Sequence, residues 1–113
     1  MTIIEKNKLL AEFLGLKKDS PNTNWYYWLD KGRYFRENEI NFDTDYNWLM
    51  PLVYKIEELG YEVLIGRISC NINSILDREN PISSMVCGDV SKKQSIVYET
   101  CVKFVEWYNK QNK

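Results

Sequence analysis

The run Asp45-Tyr-Asn-Trp-Leu-Met-Pro-Leu-Val-Tyr-Lys-Ile-Glu-Glu-Leu-Gly60, followed directly by Tyr61-Glu-Val-Leu-Ile65, changes its apolar period halfway. Trp48, Leu49, Leu52, Val53, Ile56 and Leu59 make one broad apolar stripe at helical spacing. Asp45 is a good N-cap, with Thr44 competing for the role. Pro51 is tolerated only in the first turn or so, which fits a start near Asp45. Gly60 stops the helix, and the period then drops to two: Tyr61, Val63 and Ile65 alternate as in a half-buried strand. Ile68, Cys70 and Ile72 alternate with the opposite parity. A one-residue slip turns every side chain to the other face, so Gly66-Arg67 must hold a bulge or a turn.

The same reading extends outward in both directions. A first helix is predicted over Ile3–Leu14. Thr2 and Glu5 form a capping box at its start, Leu9, Leu10, Phe13 and Leu14 fall at helical spacing, and Gly15 suits a left-handed end. Lys17 to Asn24 reads as a loop. Trp25-Tyr-Tyr-Trp-Leu29 and Arg33-Tyr-Phe-Arg36 flank Asp30-Lys-Gly32, which predicts a β-hairpin with Gly32 in the left-handed position of a three-residue turn. Asn73 to Ser84 reads as an exposed loop, and Ile82 to Cys87 as a short strand. A last helix is predicted over Lys92–Gln111, capped by Ser91 with Gln94, and buried along Val97, Cys101, Phe104, Val105 and Tyr108. The order α-β-β-α-β-(β)-α predicts an α+β fold, a mainly antiparallel sheet covered by about three helices.

At 113 residues there is room for one domain, expected to span 1–113. With 44% hydrophobic and 27% charged residues the chain is ordinary for a globular protein. Lys plus Arg is 15 and Asp plus Glu is 16, so the cation surplus that drives non-specific nucleic-acid binding is absent, although a local patch is allowed. Histidine is absent too, which removes imidazole bases, His-ligated metals and His-based pH switches. Cys70, Cys87 and Cys101 are odd in number and widely spaced, which argues against a disulfide framework and a zinc site, and for a reducing, cytoplasmic setting. The first residues show no secretory leader, and no stretch approaches the ~18 apolar residues of a membrane span.

The aromatic hairpin is the most unusual feature. Alternation puts Trp25 and Tyr27 on one face and Tyr26 and Trp28 on the other, with Arg33, Tyr34 and Arg36 on the second strand. If one pair is exposed, it presents the composition enriched at binding hot spots; if helices cover both faces, the aromatics are core. Lys92 and Lys93 stand in the first turn of the last helix, where they and free backbone donors form a candidate anion site, against the alternative of a solvated pair. Asp43-Thr-Asp-Tyr-Asn47 opens like a calcium loop, but Trp48 stands where Gly is needed and Tyr54 where a bidentate Glu is needed, so capping explains it and no metal is assigned. Cys70 and Cys101 read as small core residues and Cys87 as the exposed thiol. No acid/base pair, P-loop or dinucleotide fingerprint is present, so no catalytic residue and no cofactor is assigned.

The run Phe42-Asp-Thr-Asp-Tyr-Asn-Trp-Leu-Met-Pro-Leu-Val-Tyr-Lys-Ile-Glu-Glu-Leu-Gly60 resembles the central segment of the phage and prophage α/β/α sandwich domain family. Asn7-Lys-Leu-Leu-Ala-Glu-Phe-Leu-Gly15, the strand after Tyr61 and the closing Ser91 to Asn109 are similar to that family as well. Other members often carry a histidine where this chain has Phe42-Asp43, so no role of that histidine carries over. The resemblance implies a sandwich fold and a viral setting, and no established reaction. In such a setting small acidic proteins bind and block host components, CRISPR effectors among them. By that analogy the expected function is a non-enzymatic binding protein in the host cytoplasm with a host protein as partner. The alternatives are a nucleotide or nucleic-acid binder, using the aromatic hairpin with Arg33, Arg36 or Lys92-Lys93, and a small enzyme of unknown reaction.

Overall fold

Thr2 closes the first turn of helix α1 (Ile3–Leu14): its hydroxyl accepts from the Glu5 N–H at 3.1 Å, and Glu5 Oε1 accepts from the Thr2 N–H at 3.3 Å. At the other end Gly15 takes φ 105°, which an L side chain adopts only under strain, and its N–H caps the Ala11 carbonyl. The computed structural model describes residues 1–112. Helix α2 runs Tyr46–Glu58, and the Asp45 carboxylate accepts from the Asn47 N–H at 2.9 Å. Pro51 lies just past the first turn, where it takes one N–H out of the helical ladder.

Helix α3 covers Lys93–Gln111 after a 3-10 turn over Val90–Lys92. The expected Ser91–Gln94 box does not form. Asp89, two residues earlier, accepts from the Ser91 N–H at 3.0 Å instead, and its carboxyl is held below the ordinary aspartate value by that bond. The Gln94 side-chain nitrogen is left buried without a partner among the described residues.

The strands form two sheets in place of the one expected. Strands β1 (Leu16–Lys18), β2 (Trp25–Trp28) and β3 (Arg33–Arg36) make one antiparallel meander. Strands β4 (Tyr61–Ile65), β5 (Ser69–Ser74) and β6 (Ser83–Val86) make the other. Strand β1 takes Leu16 together with Lys17 and Lys18, the first two residues of the segment read as loop; Leu16, opposite Trp28, buries its side chain. The β2–β3 connection is Leu29–Gly32, one residue longer than expected, because Trp28 pairs with Arg33 and leaves Leu29 exposed in the turn. Gly32 has φ 61°, as the left-handed position requires. Ile65 pairs with Cys70 across a turn containing Gly66-Arg67, which resolves the parity switch.

Both sheets bury one face against the helices. Trp48 of α2 stacks on Trp28 with ring centroids 5.6 Å apart and meets Phe35 and Phe42 edge-on. Phe104 of α3, fully buried, joins Phe13 of α1 to Tyr61 of β4 at 6.3 and 4.9 Å. Offset and edge-on aromatic pairs of this kind add about 0.5–1.5 kcal/mol each beyond the area they bury. A polar tie crosses the helices: the Tyr98 hydroxyl donates to Asn7 Oδ1 at 2.9 Å, and Asn7 Nδ2 donates to Asp43 at 3.1 Å. Burial raises the Tyr98 phenol well above its usual range, so it stays a donor. No helix among the described residues is long and apolar enough to cross a membrane.

Candidate functional site

The register of β2 on β3 decides which aromatics face solvent. Trp25 pairs with Arg36, Tyr26 with Phe35, Tyr27 with Tyr34 and Trp28 with Arg33. Cross-strand partners share a face. Tyr26 and Trp28, 2% and 6% exposed, turn to the core, where Trp28 meets Trp48. These two belong to the interior and are corrected out of the candidate binding residues. Arg33 lies on their side of the sheet, and its exposed guanidinium covers the Phe35 ring at 5.0 Å, capping the edge of the core.

The opposite face is open. Trp25 is 39% and Tyr34 53% exposed, and Tyr27 is half-buried between them. The Tyr27 and Tyr34 rings lie 4.8 Å apart, and the Arg36 guanidinium sits 5.0 Å from the Trp25 ring centre. Lys17, opposite Tyr27 on β1, adds a second cation. The Trp25, Tyr27, Tyr34 and Arg36 part of the expected surface is therefore one continuous face.

Trp25, Tyr26 and Arg36 also line a groove of about 800 Å³, between α1 from Ile3 to Ala11 and the segments that precede β2 and follow β3. Its charges balance. Lys8 pairs with Glu37 at 3.1 Å, which raises the lysine's affinity for its proton. Asp43 accepts from Asn7, and Arg36 lies on Trp25. Asn22, Asn24, Asn38 and Asn41 line the groove as exposed residues, and none has a side-chain partner among the described residues. These asparagines were not singled out from the sequence. A usable signal was there: they flank the two paired strands, so the hairpin itself brings them together.

Lys92 and Lys93 line neither the face nor the groove. Lys92 is exposed in the 3-10 turn, Lys93 is half-buried, and the Asp89 carboxylate already occupies the free backbone donor at Ser91. Burial pushes the Cys70 thiol up to about 11 and the Cys101 thiol further, so neither is a ready thiolate. Cys87 is half-buried, its Sγ 2.9 Å from the Asp89 carbonyl. Among the described residues no three His, Cys, Asp or Glu side chains gather as a metal site would need. The chain matches no family model, and no curated protein or solved structure matches it.

Proposed function

We propose that the protein is a non-catalytic binding protein that grips a host protein through the outward face of β2 and β3. One observation carries the reading: Trp25, Tyr34 and Arg36 stand together in solvent around a half-buried Tyr27, while the equally bulky Tyr26 and Trp28 are consumed by the core. Exposed Trp, Tyr and Arg side by side are the residues that dominate binding energy at protein interfaces. The resemblance of Phe42 to Gly60 to phage and prophage sandwich proteins supports a viral origin, and with it action in the host cytoplasm against a host component such as a defence protein.

A second reading has an observation of its own. Arg36 over Trp25, with Lys17 on the same sheet face, is the pairing of cation and aromatic on which single-stranded nucleic acid stacks. The two readings separate by salt: phosphate contacts weaken steeply as salt rises, and an apolar protein interface does not.

The test compares two double substitutions. Trp25→Ala/Tyr27→Ala is expected to leave the fold intact and to weaken capture of the partner from host lysate by at least about 2 kcal/mol. Tyr26→Ala/Trp28→Ala is expected to unfold the chain. A folded Trp25→Ala/Tyr27→Ala protein that captures the same partner undiminished would refute this choice of surface.

A further inference from the structure

The groove beside Trp25 has a chemistry that the partner-binding face does not need. Its volume of about 800 Å³ lies within the range of small-molecule sites. Four carboxamides in it, Asn22, Asn24, Asn38 and Asn41, are free of side-chain partners among the described residues, as is the Tyr26 hydroxyl. Each carboxamide offers two donors and an acceptor at one end of a short side chain. Two aromatic residues line it, Tyr26 and Trp25, and the Trp25 ring carries the Arg36 guanidinium over one face at 5.0 Å. The two cations and two carboxylates that line the groove, Lys8, Arg36, Glu37 and Asp43, cancel.

We infer that the groove is a binding site for a neutral oligosaccharide. A sugar ring has a C–H face that packs on an indole, and hydroxyls around its rim that each donate and accept. Carboxamides satisfy such hydroxyls from either side, and a charge-balanced groove imposes no sign on the ligand. A nucleotide fits worse, because its phosphates need an uncompensated cation cluster, and Lys8 is already engaged by Glu37. An extended peptide fits worse too, because β-addition needs an open strand edge, and β3 contributes only Arg36 to the walls.

This inference goes beyond the protein-partner reading and does not rest on it, although the two share Trp25 and Arg36. The experiment titrates the ¹⁵N-labelled protein with chitotetraose, maltotetraose and cellotetraose, each to about 10 mM, a range that detects millimolar affinity, and with ATP as the charged probe. At least one neutral tetrasaccharide is expected to shift the side-chain amide signals of Asn22, Asn24, Asn38 and Asn41 together with the Trp25 indole signal. Asn38→Ala/Asn41→Ala, folded by its amide spectrum, is expected to lose about tenfold in affinity or more. Tyr34→Ala, on the open face and outside the groove, is expected to bind the sugar as the parent does. No shift with any of the three sugars overturns the site. So does a shift at these residues with ATP alone, or an Asn38→Ala/Asn41→Ala protein that binds undiminished. Loss of partner capture in Tyr34→Ala with sugar binding retained would keep the two sites distinct, and retained capture there would count against the protein-partner face alone.

Discussion

Trp48 is the side chain on which the first sheet is seated. Its ring stacks on Trp28 and takes Phe35 and Phe42 against its edges, so removing it empties a cage that three other aromatics define. Trp48 is half-buried, so Trp48→Ala is expected to destabilise the fold by about 2–3 kcal/mol, less than the truncation of a fully buried aromatic. Urea unfolding measures it, and an unchanged midpoint would show that the stack supports nothing. The thiols give a second residue-scale expectation. Cys70 and Cys101 are fully buried with their proton affinity raised, and Cys87 is half-buried beside Asp89. Only the thiolate attacks a disulfide reagent. In native protein at neutral pH one thiol should therefore react with Ellman's reagent, with all three reacting in denaturant. Rapid native reaction of a second thiol would mean that the core around β5 and α3 opens.

At the scale of elements, the β2–β3 turn depends on the conformation of one residue. Gly32 has φ 61° with open space where a Cβ would go, so the penalty of a side chain there is backbone strain alone. Gly32→Ala is expected to lower stability by about 1 kcal/mol or somewhat more, and Gly32→Asn by less, as read by thermal melting. Equal effects would mean that the turn relaxes out of the left-handed region. Helices α1 and α2 were legible because their caps are local: Thr2 with Glu5, and Asp45 before an apolar stripe. Helix α3 starts one residue later than expected, at Lys93 and without a side-chain cap, because a 3-10 turn capped by Asp89 takes up Val90–Lys92 first. Strand β1 was illegible because Lys17 and Lys18 carry no apolar alternation; of its three paired residues only Leu16, opposite Trp28, is buried. The hairpin's own alternation is symmetric, so its buried face could not be chosen until Trp48 was seen beneath Trp28. The groove was half legible: pairing of Trp25 with Arg36 brings Asn24 and Asn38 near each other, but nothing local announces that α1 forms the third wall.

The whole molecule is two short meanders held by three helices, and strand order in each sheet follows chain order. That has a kinetic consequence. Every strand pairs with one that is close in sequence, so pairing closes only short loops and carries a small entropic cost. The contacts that join the two ends of the chain are made by α3, which packs on β5, β6 and α1 and carries Phe104 into the ring cluster with Phe13 and Tyr61. Docking of α3 is therefore expected to fall within the folding barrier. Phe104→Leu is expected to slow refolding in stopped-flow mixing, whereas Gly32→Ala should act mostly by speeding unfolding. The reverse assignment would place the nucleus in the hairpin. The sheet that bears the open aromatic face is pinned from beneath by Tyr26 and by Trp28 on Trp48, so that face meets a partner already shaped, and little ordering entropy is left for binding to spend.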